Sequence, residues 1–133
     1  MTKRQPFQYA ALRIVPRVER GEAVNAGVVL FCRPKRFLGA RTHLDEALLA
    51  ALSPDCDPAE IRAQLETLVA VAEGRAEGGH VATMSKSERF HWLTAPASTI
   101  VQPSPVHTGL TDDPAGELER LFGELVSRPG RRG

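Results

Sequence analysis

Residues 24–33, VNAGVVLFCR, are β-branched and apolar at successive rather than alternate positions, the pattern of a central strand buried on both faces. Everything else in the chain can be arranged around that run. Before it, residues 7–15 (FQYAALRIV) alternate as a strand, with Ala10, Leu12 and Ile14 on one face and Tyr9, Ala11, Arg13 and Val15 on the other, until Pro16 ends it. A polar turn over residues 17–22 joins the two. After it, Arg33-Pro34-Lys35-Arg36 supplies a turn, so residues 37–42 pair back as a third strand and the N-terminal third becomes an antiparallel meander.

From Leu44 the apolar period changes from that of a strand to that of a helix. Leu44, Leu48, Leu49 and Leu52 mark a first helix, halted at Ser53-Pro54 because the residue before proline disfavours helical geometry. A second helix follows at once: Asp57 caps it, Pro58 takes its first position, and Ile61, Leu65, Leu68, Val69 and Ala72 repeat at helical spacing up to Gly74. Residues 75–84, with Gly78-Gly79, read as a loop. Ser85 and Glu88 have capping-box spacing, which favours a short helix over residues 89–93 while leaving a strand open there. Residues 98–102 (STIVQ) read as a fourth strand and residues 103–109 as a proline-rich loop. Asp113-Pro114 then starts a last helix whose stripe is Leu118, Leu121, Phe122, Leu125 and Val126, ending near Pro129-Gly130.

The expected fold is therefore α+β: an antiparallel sheet of about four strands packed with two to four helices. A chain of 133 residues suits one core, so residues 1–128 are read as a single domain and residues 129–133 as a disordered basic tail. No run of 18 apolar residues exists and no secretory leader is visible, which points to a cytoplasmic protein without a membrane span. Cys32 and Cys56 sit in unrelated settings, as reduced thiols would. The four histidines, His43, His80, His91 and His107, lack metal-ligand spacing, and no glycine-rich phosphate loop occurs, so neither a metal nor a cofactor is expected.

Charge is distributed unevenly. Residues 1–41 carry nine Lys/Arg against two Glu, and residues 42–74 carry one Arg against seven Asp/Glu. A nucleic-acid surface on the meander would need Arg13, Arg17, Arg33, Lys35, Arg36 and Arg41 on one face, and no interleaved aromatics support it.

Two polar segments invite a functional reading. At the mouth of the central strand, Arg20, Gly21 and Glu22 precede Asn25 and Gly27, which strict alternation places on one face with Val29 and Phe31. Later, Gln102-Pro103-Ser104-Pro105-Val106-His107-Thr108-Gly109 is stiffened by alternate prolines, which fix φ and hold their predecessors extended. Ser104, His107 and Asp112 have the residue types of a hydrolase triad, yet neither a nucleophile elbow nor an oxyanion hole accompanies them. Trp92 is either core or a recognition anchor, with core burial the commoner fate.

Two stretches carry a family resemblance: RGExVNxGVVLF at residues 20–31 and RFxWLxAPxSTxVQPSPVHTGLxxDP at residues 89–114. The chain resembles domain-of-unknown-function family three-zero-three-seven, short bacterial proteins common in actinobacteria. The matching positions are Arg20, Gly21, Glu22, Asn25, Gly27, Arg89, Trp92, Gln102, Pro103, Ser104, Pro105, His107, Thr108 and Gly109. Ala97 departs from the pattern, standing where an arginine is expected. The resemblance implies a HipA-like serine/threonine kinase as partner. The leading reading is thus a non-catalytic binding or regulatory module that meets such a kinase through the 102–109 segment and the Gly27 face. A small hydrolase or nucleotide-processing enzyme using His107 with Ser104 or Asp112, and nucleic-acid binding by the meander, are the alternatives.

Overall fold

The structure, a computed structural model, describes residues 3–97 and 99–126. The central run forms as the sequence dictates: β2 (Val24–Cys32) is buried from Ala26 onward and lies between β1 (Gln5–Ile14) and β3 (Phe37–Thr42), both antiparallel to it. The meander is therefore real. The sheet then gains two further strands, β4 (Val101–Pro103) and β5 (His107–Thr111), both antiparallel to β1 on the side away from β2. Five strands stand where about four were expected, because the proline-rich segment read as a loop is half strand.

Helices cover both faces. On one, α1 (Glu46–Leu52), α2 (Pro58–Glu73) and α3 (Lys86–Thr94) pack over Ala10, Leu12, Ile14, Val29, Phe31 and Ala40. On the other, α4 (Pro114–Leu125) lays Leu118, Leu121 and Phe122 against Phe7, Val28, Leu30 and Cys32. Burial of apolar surface of this kind is the main force holding sheet and helices together.

The helix ends follow from capping chemistry. Asp57 accepts the Ala59 N–H at 3.0 Å with Pro58 behind it, and Gly74 closes α2 in the left-handed conformation. Ser85 and Glu88 complete a reciprocal capping box at 3.1 Å each, which settles residues 86–94 as helix rather than strand. Asp113 caps α4 through the Gly116 N–H at 3.1 Å.

Three local expectations need correction. Of the α1 stripe only Leu49 is buried, and Leu48 is 43 % exposed, since α1 is a short surface turn touching the core by one side chain. Residues 76–83 form tight 3-10 turns, kinked at Gly79, rather than an open loop. The fourth strand begins at Val101, later than residue 98, which itself lies outside the described residues, as do the expected end of the last helix and the basic tail. Cys32 and Cys56 are both free thiols, and no helix among the described residues is long and apolar enough to cross a membrane.

Candidate functional site: a two-part sheet edge and an apolar cleft

β4 and β5 lie end to end along β1. Register shows how they join: Leu12 faces Pro103, and Tyr9 faces His107, so two residues of β1 are spanned by three on the edge. The extra residue makes a β-bulge over Ser104, Pro105 and Val106. Within it the Ser104 N–H donates to the Ala11 carbonyl at 2.8 Å, and the Ala11 N–H donates to the Ser104 hydroxyl at 2.9 Å. That hydroxyl in turn donates to the Pro105 carbonyl at 2.9 Å. Ser104 thereby replaces the main-chain acceptor that the bulge removes, and its proton is engaged within the bulge.

The same contacts fix which amides face outward. Ala11 and Val15 both direct their N–H groups to this edge, the latter to Ile100 at 2.7 Å, so odd-numbered residues of β1 serve β4 and β5. Antiparallel pairing alternates in direction. Hence Gln102, His107, Gly109 and Thr111 turn their amides inward, whereas Val101, Pro103, Thr108 and Leu110 turn theirs to solvent. On the β4 half that outer row is partly closed: Pro103 has no N–H, and the Val101 carbonyl is taken by the Thr99 hydroxyl at 2.8 Å, which leaves the Val101 N–H and the Pro103 carbonyl. On the β5 half Thr108 and Leu110 each present an N–H and a carbonyl, and among the described residues only the Leu110 carbonyl is met, by Arg4 at 2.9 Å. Leu110 is 54 % exposed and Val106 39 %.

Several sequence candidates turn out to brace the fold. Arg20 and Glu22 pair with each other at 3.3 Å in the turn before β2. Asn25 donates to the Leu125 carbonyl at 3.1 Å, closing the end of α4. It does not share a face with Gly27, because a second bulge between Leu12 and Arg13 shifts the register at Ala26 and breaks strict alternation. Gly27 is a close approach, where a Cβ would lie 2.8 Å from the Arg41 carbonyl oxygen and the Thr42 methyl. Arg89 donates to the Met84 carbonyl at 2.7 Å and to the Ala72 carbonyl at 3.4 Å, tying α3 to α2. The Gly27 face and the 102–109 segment do not meet: Leu12 stands between Gly27 and Pro103, and Arg13 between Asn25 and Gln102.

The triad types are likewise kept apart. His107 is exposed and stacks on Tyr9 with ring centroids 5.3 Å apart, Asp112 is exposed beyond β5, and no hydrogen bond among the described residues joins either of them to Ser104. The six cations of the meander do not share a face. Arg33, Lys35 and Arg36 occupy the β2–β3 turn, Arg13 and Arg17 lie at the opposite end of β1, and Arg41 is bound to Glu119 over the Phe122 ring.

Trp92 overturns the expectation of core burial. It is 45 % exposed and lines a cleft of about 440 Å³ formed by α2, the end of α3, Ala95, Pro96, Ala97, Thr99 and β4. Leu12, Leu93 and Val101 are its buried lining, and no ionisable side chain contributes to it among the described residues. Sequence reasoning missed the α2 residues Gln64 and Thr67, which reach the cleft only through tertiary packing. It also missed Leu110. The signal for that residue was present, since HTGLT between Pro105 and Asp112 is a strand-like run with turn residues on either side.

Most of the cleft's β4 side and the whole bulge fall within residues 89–114, one of the two stretches that carry the resemblance. No match exists among curated proteins or solved structures. The sequence pattern of the family described as Protein of unknown function (DUF3037) matches residues 9–126, from inside β1 to the end of α4, and the chain belongs to that family.

Proposed function

We propose that the chain is a non-catalytic binding module that receives a strand of a partner protein on the outer edge of β5. The observation that carries this reading is the difference between the two halves of one edge: β4 loses one donor to Pro103 and one acceptor to Thr99, and β5 keeps the outward amides of both Thr108 and Leu110 beside exposed apolar side chains. Exposed strand edges recruit further strands unless something blocks them. The engaged Ser104 hydroxyl supports binding over turnover, because a nucleophile would need its proton directed to a base such as His107.

The partner we propose is a HipA-like serine/threonine kinase in the cytoplasm, on the family resemblance. Co-purification of the two folded proteins at micromolar concentration tests the partner. Hydrogen exchange tests the edge, with protection expected at the Thr108 and Leu110 amides upon complex formation. Leu110→Lys places a charge on that edge and is expected to abolish the complex. Absence of any complex with the native chain would refute the kinase as partner. A complex that survives Leu110→Lys and leaves both amides exchanging at their free rate would refute the edge.

A further inference from the structure

The geometry points to the Trp92 cleft as a binding site for an uncharged, ring-bearing, predominantly apolar small molecule, distinct from the β5 edge. Its volume of about 440 Å³ lies within the range of small-molecule pockets. The charge of its occupant follows from the lining. None of the described lining residues is ionisable, so a buried charge on the ligand would go uncompensated.

The polar lining groups narrow the chemistry further. Thr67 donates to the Ala63 carbonyl, Thr99 to the Val101 carbonyl and Gln102 to the Thr99 carbonyl, at 3.1, 2.8 and 2.9 Å. Both hydroxyl protons and one of the two Gln102 amide protons are therefore spent within the chain. The indole N–H of Trp92, the Gln64 amide and the second Gln102 amide proton make no protein hydrogen bond among the described residues, which leaves room for a few polar atoms on an otherwise apolar ligand. Trp92, Pro96 and Pro103 present flat ring surfaces, and aromatic rings pack well against such surfaces. An extended peptide is a poor occupant, because the β4 edge beside the cleft lacks the Pro103 N–H and has its Val101 carbonyl taken.

Trp92 is the only tryptophan in the sequence, so its fluorescence reports on this cleft alone. The test is titration of the full chain with neutral N-phenyl-1-naphthylamine and, separately, with anionic 1-anilinonaphthalene-8-sulfonate. The neutral probe is expected to quench Trp92 saturably at one equivalent, and the sulfonate to bind about ten-fold more weakly or worse, for want of a compensating charge. Thr67→Phe and Ala97→Phe each fill the cleft from an exposed position and are expected to remove saturable binding with an unchanged melting temperature. Leu110→Lys, on the β5 edge, is expected to leave the titration unaltered. Lack of saturable quenching by the neutral probe, equal affinity for both probes, quenching that survives both phenylalanine variants, or its loss in a folded Leu110→Lys chain would each overturn the proposal.

Discussion

β4 and β5 share one neighbour, one direction and one side of the sheet, but differ in what they offer to solvent. Along β4 the outward positions hold a proline without an N–H and a carbonyl bonded to Thr99; along β5 they hold Thr108 and Leu110, with three of their four main-chain groups unmet among the described residues. The difference comes from where the prolines fall relative to ladder direction. Pro103 occupies an outward position, so its missing N–H costs the sheet nothing and removes a donor from the edge. Pro105 sits in the bulge, where no ladder bond is asked of it. Proline thus removes one donor from one half of the edge and ends its influence where β5 begins.

The comparison depends first on β5 being held firmly to β1, and the largest expected effect tests that anchor. Gly109 lies beneath the Phe7 ring, where a Cβ would come 2.7 Å from the Phe7 Cζ. Phe7 is itself packed with Val28, Leu30 and Leu118, so the ring has little room to move. Gly109→Val is expected to destabilise the fold by about 3 kcal/mol through overpacking, measured by urea denaturation. An unchanged midpoint would mean that Phe7 swings aside and that β5 is held by its ladder alone.

Next in size is the bulge that joins the halves. Ser104→Ala removes the acceptor of the Ala11 N–H and leaves that amide without a partner at a part-buried position. The expected loss is about 2 kcal/mol, read by the same denaturation. Faster hydrogen exchange at Ala11 should accompany it, and the absence of that change would show that another group takes over.

How much of this was legible beforehand depended on whether the cause was local. Caps are local, so Asp57 and Asp113 marked their helices correctly, and Ser85 with Glu88 offered the helix that forms where a strand had stayed open. The two-sided apolar run of β2 likewise needs no partner to be recognised. A bulge is different, because it is defined by the strand opposite. The extra residue at Ala26 moved Asn25 to the α4 face, and the one after Pro103 separates the expected fourth strand from a fifth that begins inside the supposed loop. Ser104 could be read as a nucleophile only while Ala11 was out of sight. Trp92 was partly legible: the Phe90 and Leu93 spacing already leaves it off the buried stripe of α3, but the cleft beside it is assembled from segments distant in sequence.

A smaller effect should convert the closed half into an open one. Pro103→Val restores an outward N–H on β4 without touching the inward ladder, which runs through Gln102 and Ser104. Stability is expected to fall by about 1 kcal/mol or less, since replacing proline frees the unfolded chain. The informative readout is sedimentation velocity, where stronger concentration-dependent association than that of the native chain is expected. If the variant and the native chain sediment alike, Pro103 is not what guards that half.

Thr108→Pro is the reciprocal change and the smallest in stability. Position 108 turns its N–H outward, so proline there removes no bond to β1, and its predecessor His107 is already extended, as a residue before proline prefers. The fixed φ costs a little in the folded strand, and the stiffer unfolded chain offsets it, so the melting curve should move by about 0.5 kcal/mol or less. Partner binding should be lost even so, because one of the two outward donors of β5 has gone. A loss of several kcal/mol in stability would instead reveal that the Thr108 amide faces β1, which would reverse the inward and outward assignments on which the contrast between the two halves rests.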